Sequence, residues 1–261
     1  MANEFSQTVQ KAIGLLSVIR ENDADMDFTA IHRASGLGKT VCFRLLATLQ
    51  HEGMVAKDAE TNRYTIGPKV IELAGNALDR NALRVQANKV MRVLAHETGD
   101  AIMLFIPYGM DALCVDRMDG DAPVRPAGVD IGGKLPLHTG GAPFAILSHL
   151  RPPEQEQVLG GVLEAPTTKT VLDGAALREK MVEVRRNGYA VGDGDAIEHI
   201  LAIGAPIFGP GERLLGAISV GGIKARYKAG RIRSMIPRVL DAADEISRSL
   251  GGHSLVRRPR P

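Results

Sequence analysis

The residues best suited to chemistry cluster between Lys39 and Arg63. Wound as a helix at about 100° per residue, residues 39–52 place Cys42, Leu45, Leu46 and Leu49 on one apolar stripe. Thr40, Phe43, Arg44, Ala47, Thr48 and His51 share the opposite face. That face carries a guanidinium for guanine edges or phosphate, hydroxyls, and flat or small apolar groups for thymine methyls. These are the groups that contact in a DNA major groove demands. Lys39 and Thr40 open the helix, where free amides and a cation suit a phosphate. Arg33 just upstream and Arg63 beside a later turn can add positive charge near a duplex backbone. The competing reading is an ordinary amphipathic helix with a solvated outer face, in which Arg44 pairs with Glu52 or another acid.

A second set of residues in the other half suits a small polar ligand. Thr139-Gly140-Gly141-Ala142-Pro143 precedes an apolar helix, so a ligand could approach bare backbone at a helix N-terminus that favours a carboxylate. Ser219 sits in an otherwise apolar strand and shares a face with Gly221. Asp193 and Asp195 fall in an expected loop with Gly192 and Gly194. The competing readings are glycines that serve close packing and a Ser219 that bonds only backbone. The two acids would act as a catalytic pair only around a scissile bond, which nothing else implies. His138, next to Leu137 and Pro136, reads as a satisfied structural histidine rather than a metal ligand. Cys42 and Cys114 lack metal-ligand spacing and read as small buried hydrophobes. With no P-loop, HExxH, GxSxG or CxxC, no catalytic residue, metal site or cofactor is expected.

The elements that must position these residues follow from periodicity and turn signals. Ser6 can cap a first helix with Val9, Ala12, Ile13, Leu16 and Ile19 on one side. An acidic loop follows, then a short helix capped by Thr29, a tight turn at Gly36, and the helix from Lys39. Residues 54–57 and 63–66 bracket a polar turn and predict a hairpin. The order helix, helix, turn, helix, hairpin over residues 6–67 is that of a winged helix-turn-helix. Pro68 opens a linker helix, expected over residues 68–80, whose Val70, Leu73, Ala74, Ala77 and Leu78 are more apolar than a free linker needs. The alternative is that this stripe packs on its own chain.

Beyond residue 81 the pattern changes to strands at 101–107, 112–117, 201–208 and 214–220, with a Gly-rich loop leading to Leu135-Pro136-Leu137-His138 and helices from 140 or 141 to 150, 173–187 and 232–250. Hairpin connections with interspersed helices predict an antiparallel sheet covered by helices, an α+β domain over residues 81–251. The basic end, residues 252–261 with Arg257, Arg258 and Arg260, is expected to be disordered.

Bulk composition narrows the classes. The 261 residues, 44% hydrophobic and 24% charged, can build a core in each half. The longest apolar runs are strand-sized, so no membrane partner is expected, and the absence of an apolar leader makes the cytosol the expected compartment. Net charge is only +2, and residues 1–80 hold nine Lys/Arg against ten Asp/Glu. That balance disfavours an architectural DNA binder resting on phosphate contacts alone.

Several runs also carry a resemblance: GLGKTVCFRLLATLQHEGMVAKDAETNRYTIGPKVIELAGNAL, AHETGD, DAPVRPAGVDIGGKLPLHTGGAP, RRNGYAVGDGD and APIFGPGERLLGAISVGG. From Val9 to Leu250 the chain resembles the IclR family of bacterial transcription regulators. The resemblance implies a winged helix-turn-helix, a dimerising linker helix and a GAF-like effector-binding domain. It further implies double-stranded, pseudo-palindromic operator DNA as partner, a homodimer or dimer of dimers, and a small-molecule effector, a carboxylic acid or aromatic. The effector positions it carries over are Gly140, Gly141, Asp193, Ala202 and Ser219. Gly192 replaces a frequent acid, Ala202 a common cysteine, Gly221 a common serine, and Pro143-Phe144 a usual Gly-Lys pair. Those departures predict a roomier, less polar pocket for a larger or more aromatic acid. The alternative function is an enzyme built on the GAF-like fold and fused to a DNA-binding module.

Overall fold

The structure, a computed structural model, describes residues 5–21, 25–79, 82–121 and 129–253. The chain forms two compact units, Met1–Arg80 and Asn81–Pro261. The expected tail arginines Arg257, Arg258 and Arg260 lie outside the described residues.

The first unit contains α1 (Gln7–Arg20), α2 (Phe28–Ser35), α3 (Lys39–His51), β1 (Val55–Lys57), β2 (Tyr64–Ile66) and α4 (Pro68–Asp79). Its core joins Leu15 and Ile19 of α1, Ile31 of α2 and the α3 stripe Cys42, Leu45, Leu46 and Leu49 to Val55 and Tyr64. The α2–α3 turn requires a left-handed residue, and Gly36 takes it at φ 64°. The cap of α2 is not Thr29: the helix starts two residues earlier than that cap implies, and Asp27 accepts the Ala30 amide at 2.8 Å. Ser6 stands at the N-cap of α1 but makes no capping hydrogen bond. In the hairpin turn, Asp58 Oδ1 accepts the Thr61 amide at 2.7 Å and the Thr61 hydroxyl at 2.8 Å, which hold its carboxyl below the usual range. Met26 extends the β1–β2 ladder by accepting the Tyr64 amide at 2.8 Å.

The second unit contains α5 (Ala82–Thr98), β3 (Ala101–Tyr108), β4 (Asp111–Met118), β5 (Lys134–Pro136), α6 (Ala142–His149), α7 (Pro152–Leu159) and α8 (Gly174–Asn187). It continues with β6 (Ala190–Asp193), β7 (Ile200–Phe208), β8 (Leu214–Ile223) and α9 (Ala229–Ser249). The sheet runs β5-β4-β3-β8-β7-β6, antiparallel throughout, and the fold is α+β. Strand alternation divides its two faces. Ile102, Leu104, Ile203, Ala205, Ile218 and Val220 pack with α5 and α9, whereas Phe105, Ala112, Cys114 and Ala217 pack with α6 and α8. A buried ion cluster ties the first layer together. Asp100 Oδ1 accepts Arg226 at 2.6 Å, and its Oδ2 accepts Tyr227 at 2.7 Å and Arg231 at 2.6 Å. Burial and the Asp100 carboxylate push the Tyr227 phenol upward.

Three elements extend the expected set: β5, α7 and β6. Pro152 and Pro153 occupy the first turn of α7, where proline's missing amide is harmless, with Glu154 accepting the Arg151 amide at 3.0 Å. Gly192 and Asp193 close an edge strand, β6, instead of lying in a loop.

The α3 stripe makes a direct prediction. Leu46→Ala removes a side chain at 1% exposure from the first unit's core and should cost about 2–5 kcal/mol in urea unfolding followed by circular dichroism. A loss below about 0.5 kcal/mol would contradict this packing.

Candidate nucleic-acid interface and ligand cavity

With its leucines inward, α3 presents Lys39, Thr40, Phe43, Arg44, Ala47, Thr48 and His51 to solvent. Phe43 is 61% exposed for so large an apolar group, and only its edge is braced, against Phe28 at 6.1 Å between centroids. Phe28 in turn stacks on His32 at 6.0 Å. Arg44 forms no ion pair with Glu52 or any other described residue, so its guanidinium is available. The Thr48 hydroxyl donates to the Arg44 carbonyl at 3.0 Å, which leaves its methyl and an acceptor lone pair outward. Arg33 is exposed in the last turn of α2, on the helix that precedes the reading helix. Arg63 behaves otherwise: its Nη1 donates to the Asp25 carbonyl at 2.6 Å, which holds it against the stretch before α2 instead of beyond the hairpin tip.

In the second unit, α6 begins against β7 and β6 more closely than any side chain allows. A Cβ on Gly204 would stand 2.3 Å from the Ala142 amide nitrogen, and one on Gly141 would stand 2.8 Å from the Gly204 nitrogen. A Cβ on Gly192 would come 2.4 Å from the Gly140 Cα. Gly141 and Gly192 therefore owe their missing side chains first to chain packing. Gly140 has a second reason, a left-handed φ of 65°.

Beside this contact is a cavity lined by Gly140, Gly141, Ala202 and Ser219, with Met103, Phe105, Ile197 and Ile200 as apolar walls. At about 40 Å³ it is far smaller than ligand pockets of roughly 300–1,000 Å³, so the expected roominess is not met in this state. Asp193, carried over as an effector position, does not line this cavity. In β6 Gly192 faces the cavity, so alternation sends Asp193 to the other side, where it pairs with Lys224 Nζ at 2.7 Å. The acid at the cavity is Asp195, whose Oδ2 accepts the Gly140 amide at 3.1 Å. The missed signal was the second acid of GDGD, two residues past the strand end.

The remaining reactive groups are occupied. Burial pushes the Cys42 thiol up and the Cys114 thiol up to about 12, so both stay protonated. His138 Nε2 is bound to the Glu164 carbonyl at 2.8 Å, and burial pushes the His149 imidazole down toward its neutral form. Among the described residues no group of three or more His, Cys, Asp or Glu could hold a metal ion. No described helix is long and apolar enough to cross a membrane.

A helix-turn-helix with a hairpin wing, joined to an α+β domain with a buried cavity, places this chain in the class of winged-helix transcription regulators. Residues 8–59 match the IclR helix-turn-helix domain, and residues 75–248 match the family described as bacterial transcriptional regulator IclR C-terminal. The chain belongs to the IclR family and is a DNA-binding transcription regulator. It is similar to the HTH-type transcriptional regulator KipR of Bacillus subtilis, 29% identical over 247 residues that cover 94% of this chain and 98% of KipR. An IclR regulator from Silicibacter superposes with a TM-score of 0.79 at 27% identity, covering 94% of this chain and 96% of that one. An IclR homologue from Microbacterium hydrocarbonoxydans, solved with 4-hydroxybenzoate, superposes at 0.80 with 21% identity, covering 94% and 99%.

The α6 contact predicts two unlike glycine substitutions. Gly204→Ala forces backbone against backbone and should cost about 1–3 kcal/mol or more in thermal unfolding. Gly221→Ala is crowded only by the Met103 methyl, at 3.1 Å, with Ala202 Cβ at an ordinary 3.6 Å, and should cost well under half as much because that methionine can move. Equal effects would contradict the tight α6–β7 approach.

Proposed function

We propose that the protein binds a pseudo-palindromic operator as a homodimer or dimer of dimers, and that a small organic acid, aromatic in character, modulates this binding. Residues 6–67 form the DNA-binding domain, 68–80 the linker helix and 81–251 the effector domain, all acting in the cytoplasm. The observation that carries the reading is the outer face of α3, polar and free of ion pairs among described residues, opposite a fully buried stripe. Arg44 and Phe43 meet base edges and thymine methyls, Thr40 and Thr48 flank them, and Lys39 and Arg33 hold phosphates. Arg63 serves the wing from its tether on Asp25, steadying the hairpin more than reaching past it.

Support for self-association comes from α4, where Ile71 is 73% and Leu73 55% exposed within the first unit. The two lie about 200° apart around the helix, so each is a separate apolar side chain that a second copy would cover, not one stripe. Support for the effector comes from the cavity at Gly140, Gly141, Ala202 and Ser219, and from the 4-hydroxybenzoate bound by the Microbacterium homologue. In this reading the cavity widens on binding, with the flexible Met103 as a yielding wall.

Selection of operator fragments by the full chain, followed by affinity measurements, tests the DNA half. Arg44→Ala should lose about 1–3 kcal/mol and relax preference at one position in each half-site. Lys39→Ala should weaken all sequences alike and reduce the salt slope by about 1. If Arg44→Ala leaves both affinity and preference unchanged, α3 does not read the sequence as described.

A further inference from the structure

The cavity beside β8 holds an anion that the protein satisfies only on one side. Asp195 is 8% exposed, and its Oδ2 accepts the Gly140 amide at 3.1 Å while facing Lys180 Nζ at 3.9 Å. The residue lines the cavity, and its Oδ1 is buried with no hydrogen-bond partner among the described residues. The loop that carries it is pinned, and the Gly140 amide holds the carboxylate inward. The Asp195 carbonyl accepts the Thr170 hydroxyl at 2.7 Å, and the adjacent Gly194 carbonyl accepts the Thr167 hydroxyl at 2.7 Å. Below, Gly192 approaches so closely that a Cβ there would be 2.8 Å from Oδ1.

Two consequences bear on what can bind. The Gly140 amide at the start of α6 is already taken by the protein's own carboxylate, so it is not free for a ligand's. A carboxylate brought beside Oδ1 would meet like charge in a poorly solvated place, which is unfavourable. A donor brought to the same point would instead complete the hydrogen bonding of a buried acceptor. Apart from the Ser219 hydroxyl, the surrounding side chains Met103, Phe105, Ile197, Ile200 and Ala202 offer only apolar contact.

We infer that Asp195 sets the chemical class of the effector: a ligand that presents a hydrogen-bond donor, a hydroxyl or an ammonium group, to this end of the cavity. A ligand whose only polar group is a carboxylate is selected against. The inference rests on the reading of this cavity as the effector site and narrows it from organic acids to those that also carry a donor.

Calorimetry on the full chain with matched probes tests it. Phenol and 4-hydroxybenzoate present a hydroxyl, 4-methoxybenzoate and benzoate lack the donor, and benzylamine presents an ammonium. At least one donor probe should bind tenfold or more tightly than benzoate and 4-methoxybenzoate, and comparison of the hydroxyl and ammonium arms tells which donor the site takes. Asp195→Asn, which turns an amide toward the ligand, should shrink that preference to threefold or less. Benzoate and 4-methoxybenzoate binding as tightly as 4-hydroxybenzoate would overturn the role of Asp195 while leaving the cavity an effector site. No heat from any probe, with the fold intact by circular dichroism, would overturn the effector reading itself and this inference with it. The wild-type comparison stands by itself if Asp195→Asn fails to fold.

Discussion

The start of α6 lies on β7 with no room for a side chain between them, and the second unit is arranged around that contact. Gly141 and Gly204 bring backbone against backbone, and Gly192 lets the neighbouring edge strand join them. The approach leaves the Gly140 amide facing inward, where Asp195 accepts it. A buried carboxylate so placed is then half neutralised by an amide and a distant lysine and half left open. The cavity, its apolar walls and the one charged group among its described lining residues all follow from how tightly a helix N-terminus is seated on a sheet. Substitution of one glycine there changes the whole arrangement, because interiors at this density transmit a displacement instead of absorbing it.

The first unit works by division of faces. Its core spends the aliphatic side chains of α3 on holding the helix to α1 and α2, which leaves the opposite side free of structural duty. Near-neutral charge over residues 1–80 means that affinity cannot rest on a broad positive field. Base-edge contacts and a few placed cations must supply the difference. That is the chemistry of a sequence-selective regulator, in keeping with the family to which the chain belongs.

Much of this organisation was legible in the residue order. The α3 stripe could be read because leucines repeat with helical period, and the Gly36 turn because only glycine adopts its backbone angle without strain. The strands β3, β7 and β8 announced themselves as apolar runs between turn residues. What could not be read depends on which segments meet in space. A glycine in sequence does not say whether ligand or backbone will fill its missing side chain, and at Gly141 that place is filled by β7 although the residue also lines the cavity. Asp193 and Asp195 differ only in which side of a strand end they fall. Gly192 and Asp193 are poor strand formers, so the edge strand that decides between the two acids was invisible. Residues 152–159 carried no expected element, yet Pro152 and Pro153 start α7, and Asp27 takes the cap in place of Thr29 because the chain enters α2 two residues sooner.

Everything said of function turns on whether the outer face of α3 enters DNA. Side-chain oxidation by hydroxyl radicals, read by mass spectrometry with and without selected operator, addresses that face directly. Phe43 and His51 are exposed and reactive in the free chain, and Tyr108 is an exposed aromatic on the second unit for comparison. The account predicts strong protection of Phe43 and His51 in the complex while Tyr108 oxidises as before. Unchanged oxidation of Phe43 in a saturated complex would place the DNA elsewhere and contradict the account.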